Sequence, residues 1–257
     1  MGKTDLPPRN IALRISYDGT NFCGWQRQNG GSAGLYRTVQ EVLERALERI
    51  HKHPVQLIGS GRTDSGVHAV GQLANFLTDI PSIPESRFVY ALNSILPQDV
   101  RILSSWSVPL DFHSRFSARS RTYRYFIHCA KTALAHELPY VWHIGRWPNV
   151  AILSRMSTHL YGKIDCTTFA ATADMSHTKM RHLHGARFFP DGDKLVFEIT
   201  ANAFLQRMVR SLTGTLLSME KNGKNADDFA AVLHSRDRLQ AGPTAPGTGL
   251  FLWNIQC

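Results

Sequence analysis

A carboxylate and a guanidinium lie two residues apart in the stretch Gly-Arg-Thr-Asp-Ser-Gly at residues 61–66. A nearby cation such as Arg62 can keep the carboxylate of Asp64 ionised, and an ionised carboxylate can act as a nucleophile or a base. The alternative is a solvent-facing turn in which Asp64 only caps its own backbone, which is a common use of aspartate. These six residues alone leave both interpretations open.

Two apolar runs flank this stretch and predict how it is positioned. Residues 55–58, Val-Gln-Leu-Ile, are typical of a buried strand, and residues 72–77 form a second apolar run. Gly61 and Gly66 bracket the polar residues and permit the positive φ values that a tight turn may require. The sequence therefore predicts a tight turn between two strands that carries Asp64.

Residues 61–69 as a whole, Gly-Arg-Thr-Asp-Ser-Gly-Val-His-Ala, resemble the GRTDAGVHA motif of tRNA pseudouridine synthases of the TruA family. The one departure is Ser65, where the family usually has Ala. In that family the aspartate is the nucleophile, and the resemblance implies this role for Asp64. Other segments resemble family motifs in the family order, and these are residues 17–28, 112–118, 121–125, 201–210 and 245–252.

The resemblance implies roles for three further residues. Arg210 would pair with Asp64, although an arginine here could also be a surface residue lying along an apolar helix. Arg62 would enter the anticodon stem and help to displace the target base, or it would simply contact a phosphate. Tyr123 would stack on the target uracil and take the proton from C5, with Tyr125 on the same strand face as its rival.

The resemblance also points to residues that bind the substrate. Leu250 would pack near the target base, while the alternative is a loop that merely enters a core strand. Arg115, Arg119, Arg121 and Arg124 form a basic strip suited to phosphates. A solvated strand edge is the competing explanation for some of these arginines.

Composition favours a polyanionic partner. Lys and Arg number 29 against 20 Asp and Glu, which gives a formal charge of +9 and a pI near 9.7. No apolar run reaches membrane-spanning length and no signal pattern opens the chain, so a cytoplasmic protein is expected. The cysteines are scattered without metal-binding spacing, which predicts reduced thiols and no metal, and they are Cys23, Cys129, Cys166 and Cys257.

Hydrophobic periodicity predicts an α+β fold built from two ferredoxin-like halves, residues 1–110 and 111–257. Each half follows the order β-α-β-β-α-β, and the halves are expected to share an extended mixed or antiparallel sheet with helices on one face. The first half would carry the catalytic aspartate and the second the tyrosine and the basic RNA contacts. The active-site cleft is expected between them.

Finer features are predicted as well. Thr38 and Glu41 form a capping-box pattern before the first helix. His51 and His53 after that helix are expected at the surface, and residues 30–36 look like an insertion relative to the family. In the second half, a helix over residues 149–161 should end at Gly162 in the left-handed cap position.

The family resemblance implies a homodimeric enzyme that needs no cofactor and converts uridines 38, 39 and 40 of the tRNA anticodon arm to pseudouridine. Whether the aspartate attacks C1′ or elimination gives a glycal is left open. A synthase of the same family that acts on other RNA uridines is the nearest alternative. A non-catalytic RNA-binding protein and a hydrolase of the N-glycosidic bond are more distant ones.

Overall fold

The computed structural model describes residues 7–28 and 36–257. The chain forms two compact units, the first made of residues up to Arg119 with Asn254–Cys257 and the second of Ser120–Trp253. Sheets and helices occur in both units, which confirms the α+β class. The predicted insertion at residues 30–36 lies outside the described residues except for Tyr36.

The first unit has one antiparallel sheet in the order β4-β1-β3-β2, and two helices connect its strands. Leu13 of the central strand β1 faces Ala74 of β3 and Ser105 of β4. This is the order of elements predicted for the first half. The elements are β1 (Arg9–Tyr17), α1 (Val39–His51), β2 (Ile58–Gly59), β3 (His68–Thr78), α2 (Phe88–Asn93) and β4 (Val100–Val108).

The helix α1 buries one apolar face, as its 3.6-residue periodicity predicts, with Leu43 and Leu47 inaccessible to solvent. Only half of the predicted capping box forms among the described residues. Thr38 accepts the N–H of Glu41 at 3.4 Å, whereas the carboxylate of Glu41 pairs with Arg45 at 2.7 Å. A good (i, i+4) partner therefore competes with the reciprocal cap.

The expectation that His51 lies at the surface is wrong, because its ring is buried in the core of the first unit. Its two nitrogens lie 2.8 Å from the carbonyl oxygen of Leu47 and 2.8 Å from the hydroxyl of Thr78. The ring also stacks on Phe88, with 6.2 Å between centroids. Burial lowers the pKa of His51, so a neutral ring suits this position. His53 is exposed, as predicted.

The second unit repeats the plan with additions, and its strands lie in the order β10-β5-β9-β8-β7 with β6 parallel to β5. The last strand ends in the residues that belong to the first unit. The elements are β5 (Ser120–His128), β6 (Trp142–His143), α3 (Val150–Ser157), β7 (Gly162–Asp165), β8 (Met180–Asp191), β9 (Lys194–Ala201), α4 (Met208–Lys221), α5 (Ala226–Ser235) and β10 (Leu250–Gln256).

The helix predicted over residues 149–161 is shorter than expected, since α3 ends at Ser157. The next three amides donate to carbonyls three residues back, so the helix tightens before it stops. The hydroxyls of Ser157 and Thr158 also donate to backbone carbonyls, which competes with the helical pattern. Gly162 does have positive φ, but it opens the short strand β7, which the sequence did not predict.

The four cysteines are free thiols. Within the described ranges, no helix combines the length and the apolar character needed to cross a membrane.

A buried polar network fixes the segment after β4 against β3 in the first unit. The side-chain oxygen of Asn75 accepts the N–H of Ser114 at 2.9 Å and its hydroxyl at 2.7 Å. The amide of Asn75 donates to the side chain of Asn10 at 2.9 Å. Ser114 stands where the related family motif has Ala, and its extra hydroxyl is satisfied by this network.

We predict that Asn75→Ala destabilises the protein by about 3 kcal/mol, because it strands the buried N–H of Ser114 and the side chain of Asn10. Urea unfolding followed by far-UV circular dichroism measures the change. Asn222→Ala, at an exposed position, is the control and should cost about 0.5 kcal/mol or less. Equal losses in the two variants would contradict the buried network.

Candidate active site

The turn predicted around Asp64 is present in the first unit, between β2 and β3. Residues 61–67, called here the Asp64 loop, include a turn in which the N–H of Val67 donates to the carbonyl of Asp64 at 3.2 Å. Gly66 takes φ +75° at the third position of this turn, which is the conformation that glycine adopts without a steric cost. The side chain of Asp64 is half-buried at this site.

Hydrogen bonds from the segment after β1 hold the backbone on both sides of Asp64. Before it, the hydroxyl of Thr63 lies 2.8 Å from that of Tyr17, and its carbonyl accepts the N–H of Trp25 at 3.1 Å. After it, the amide of Gly66 and the hydroxyl of Ser65 donate to one carbonyl, that of Phe22, at 3.3 and 3.2 Å. Ser65, the departure from the family motif, thus adds a bond that Ala could not make.

Two glycines allow this close approach. A Cβ atom at Gly19 would overlap the carbonyl oxygen of Val67, and one at Gly24 would lie 2.6 Å from the carbonyl oxygen of Thr63. Because both neighbours are backbone atoms of the Asp64 loop, a side chain at either glycine would displace the loop. Phe22 and Trp25, in the segment over residues 17–28, are buried beside the loop.

The predicted cationic residues of the first unit are all exposed. Arg62, which lies in the Asp64 loop, is exposed, and so is Arg115. Phe116 beside it is 76% exposed, and the Arg115 guanidinium carbon lies 5.7 Å from the centre of its ring. Arg119 is also exposed.

In the second unit, Tyr123 and Tyr125 lie two residues apart on β5, and the structure distinguishes them. Tyr125 has no exposed surface, and its hydroxyl donates to the carbonyl of Pro246 at 2.7 Å. Burial raises the pKa of Tyr125 far above its ordinary value, with the charge of Arg210 acting in the opposite direction. Tyr123 is 7% exposed and meets Phe204 edge to face, with 5.1 Å between ring centroids.

Arg210 lies in the first turn of α4 and is fixed to the loop that precedes β10. Its Nε donates to the carbonyl of Ala245 at 2.8 Å, and its own carbonyl accepts the N–H of Ala245 at 3.1 Å. Leu250, at the start of β10, is buried. The second unit therefore brings Arg210 and the loop over residues 245–249 together around Tyr125.

Two members of the predicted basic strip make contacts within the second unit. Arg121 is 8% exposed and donates to the backbone carbonyl of Asn202 at 2.6 Å. Arg124 donates to Glu198 at 2.6 Å and lies 4.1 Å above the ring of Trp253. These contacts anchor both arginines to neighbouring strands.

One group of side chains that the sequence did not suggest is His128, Glu137 and Asp193, whose ligand atoms could surround a cation. His128 Nε2 lies 2.8 Å from a carboxylate oxygen of Asp193. The ammonium of Lys194 lies 2.7 Å from Glu137 and 3.3 Å from Asp193. This positive charge therefore already balances the two carboxylates. We interpret the group as an ion-pair network.

Sequence reasoning also missed the residues that hold the Asp64 loop from outside it, such as Tyr17 and Gln72. The amide of Gln72 donates to the carbonyl of Gly61 at 2.8 Å. These partners are up to 46 residues apart in the sequence, so local patterns do not predict their contacts. The glycines in residues 17–28 were the one signal that this segment could pack closely against another.

Comparison with known proteins identifies the class of protein to which this chain belongs. The family model described as tRNA pseudouridine synthase matches residues 14–117 and 156–256. The chain belongs to this family and is an enzyme that isomerises uridine in tRNA.

Close relatives carry one description, tRNA pseudouridine synthase A. The protein from Treponema denticola is 55% identical over 248 residues, covering 96% of this chain and 92% of the relative. That from Treponema pallidum strain Nichols is 52% identical, covering 91% and 84%. That from Caldicellulosiruptor saccharolyticus is 38% identical, covering 96% and 99%.

We predict that Gly19→Ala lowers kcat on tRNA by about 100-fold, because its Cβ displaces Val67 and with it the Asp64 loop. Thr20→Ala, at the adjacent exposed position, is the control and should retain activity. Single-turnover assays give the rate, and far-UV circular dichroism verifies folding. A folded Gly19→Ala enzyme of nearly normal rate would contradict the role of close backbone packing.

Proposed function

We propose that this enzyme converts uridines 38, 39 and 40 in the anticodon arm of tRNA to pseudouridine, with Asp64 as the nucleophile. The observation that carries the proposal is the Asp64 loop, whose backbone is tethered on both sides of a half-buried carboxylate. Catalysis by positioning requires this kind of fixed geometry. The target positions are those that the family resemblance implies, and the relatives' shared description, tRNA pseudouridine synthase A, supports tRNA as the substrate.

The reaction breaks the bond between ribose C1′ and uracil N1, turns the base and forms a bond between C1′ and C5. C5 loses a proton and N1 gains one, so the conversion is an isomerisation with no net oxidation. The carboxylate of Asp64 either attacks C1′ or removes a ribose proton to give a glycal. Either role needs the ionised form, and Arg210 is the cation we assign to maintain it.

Tyr123 is assigned the place beside the uracil, where it stacks on the base and accepts the C5 proton. Tyr125 is a poor candidate, because its hydroxyl is engaged with Pro246 in the core and its raised pKa keeps it protonated. Leu250 is proposed to pack against the target base.

RNA binding is assigned to exposed arginines. The target base must leave its stack, at a cost of a few kcal/mol, and Arg62 is proposed to occupy the vacated space. Arg115 and Arg119 are proposed phosphate contacts. Arg121 was expected among them, but its bond to Asn202 favours a supporting role within the second unit. We further propose that the enzyme acts in the cytoplasm as a homodimer.

We predict that Asp64→Asn, which keeps the shape of the side chain, lowers single-turnover pseudouridine formation by more than about 1000-fold. Filter binding should show nearly unchanged affinity for tRNA, since the carboxylate is needed for chemistry. Asp79→Asn, an exposed aspartate of the same unit, is the matched control. Weakened binding with intact single-turnover chemistry would overturn the assignment of Asp64.

The two tyrosines of β5 provide a matched pair. We predict that Tyr123→Phe lowers kcat by about 100-fold through loss of the proton acceptor. Tyr125→Phe should instead lower the free energy of unfolding by about 1 kcal/mol, because the Pro246 carbonyl loses its donor. Urea unfolding and single-turnover assays of both variants measure the two effects. The reverse pattern would assign the proton transfer to Tyr125.

A further inference from the structure

A cavity of about 250 Å³ lies beside the start of α4 in the second unit. It is smaller than the pockets that hold drug-sized ligands, so it suits a compact group. Of the described residues that line it, two are arginines and none is acidic. The polar residues of this α4 cavity are Thr172, Gln206, Arg207, Ser211, Arg238 and Thr244.

The N-terminal end of α4 contributes positive charge beside the cavity, through Arg207 and the helix dipole. Arg207 is the N-cap residue and takes φ +60°, and no side chain of the described residues caps the helix. The first amide of α4, that of Met208, already donates to the carbonyl of Leu205 at 3.1 Å, so the helix dipole is what favours an anion at this end. The exposed guanidinium of Arg207 lines the same space.

Ser211 provides an independent sign that something binds here. Its side chain is 1% exposed, yet its hydroxyl oxygen finds no hydrogen-bond partner among the residues that the structure describes. A buried hydroxyl without a partner destabilises a protein, and such groups are rare in native structures. Ser211 lines the cavity, where a bound acceptor would satisfy the hydroxyl.

The lining residues Arg238 and Thr244 are held in place by hydrogen bonds. Arg238 is half-buried and donates to the hydroxyl of Thr244 at 3.0 Å. The segment that carries Thr244 is tied to α4, because the N–H of Gly242 donates to the hydroxyl of Thr215 at 2.9 Å. Arg238 and Ser211 are thus held on rigid elements.

Asp174 contacts Gln206, which lines the cavity, but its charge does not oppose a bound anion. Asp174 accepts the N–H of Gln206 at 2.7 Å and pairs with Lys179 at 2.5 Å. Burial alone would raise the pKa of Asp174, but its bonds from Lys179, Gln206 and Ser176 hold it well below the ordinary value. The carboxylate is therefore already neutralised by its own partners, which leaves the charges of the two arginines available.

We propose that the α4 cavity binds a phosphodiester group of the RNA substrate through Arg207, Arg238 and Ser211, with the dipole of α4 adding to their attraction. This proposal rests on the proposed function, because it places a second contact with the same tRNA in the second unit. A phosphodiester fits because it is compact, carries one negative charge and accepts several hydrogen bonds.

The test compares Arg238→Gln with Arg236→Gln. Arg236 is exposed two residues away, pairs with Asp165 at 3.2 Å and is not among the lining residues. Arg238→Gln should weaken binding of a tRNA transcript by about tenfold and reduce the slope of log affinity against log salt by about one. The loss should fall mainly on KM. Arg236→Gln should change affinity less than about twofold. Equal losses of tRNA affinity in the two variants would contradict a phosphate site in the α4 cavity.

Ser211→Ala supplies a readout that a structural role would not give. It should raise the melting temperature of the free protein, because it removes an unpartnered buried hydroxyl, and still weaken tRNA binding. A second arm titrates inorganic phosphate alone and follows the melting temperature of wild type and of Arg238→Gln. If phosphate stabilises only wild type while tRNA affinity is equal in both, the cavity binds free phosphate and the RNA assignment is wrong.

The failure of this proposal can be told apart from failure of the proposed function. If wild type forms no pseudouridine but Arg238→Gln still weakens tRNA binding selectively, the function fails and the cavity stands. If pseudouridine forms normally and the two arginine variants bind tRNA alike, the cavity proposal fails alone.

Discussion

The tethered backbone on either side of Asp64 is the constraint on which the account of this enzyme depends. Main-chain groups of the Asp64 loop bond to Phe22 and Trp25, so the carboxylate projects from a rigid turn. A reacting group misplaced by 1 Å can lose about two orders of magnitude in rate, which explains why so much buried bonding serves one short loop. Gly19 and Gly24 are part of this constraint, because only a residue without Cβ lets the two segments touch.

Much of this could be predicted from the sequence, and what could not has a physical reason. The turn itself followed from Gly61 and Gly66 and the flanking apolar runs, since these are local signals. The burial of Phe22 and Trp25 beside the loop did not follow, because it depends on contacts between segments about 40 residues apart. The burial of His51 was missed for the same reason, since Thr78 is a distant partner.

The second unit shows where periodicity reaches its limit. Alternation along β5 places Tyr123 and Tyr125 on one face but does not say which of them is enclosed. The structure does, because the loop before β10 supplies the Pro246 carbonyl to Tyr125 from 121 residues away. The same loop holds Arg210, so this arginine and the buried phenol of Tyr125 are fixed by one segment. The strand β7 likewise depends on a distant segment, because Gly162 pairs with Leu183 of β8. The shortened α3 is set by local bonds that the pattern of apolar residues does not encode.

The most direct test of the central claim is nucleotide-resolution mapping of pseudouridine in unmodified tRNA transcripts incubated with the wild-type enzyme. We expect pseudouridine at uridines 38, 39 and 40 of the anticodon arm and none after incubation with Asp64→Ala. Conversion confined to uridines outside that arm would contradict the assigned target, and conversion by Asp64→Ala would contradict the assigned nucleophile.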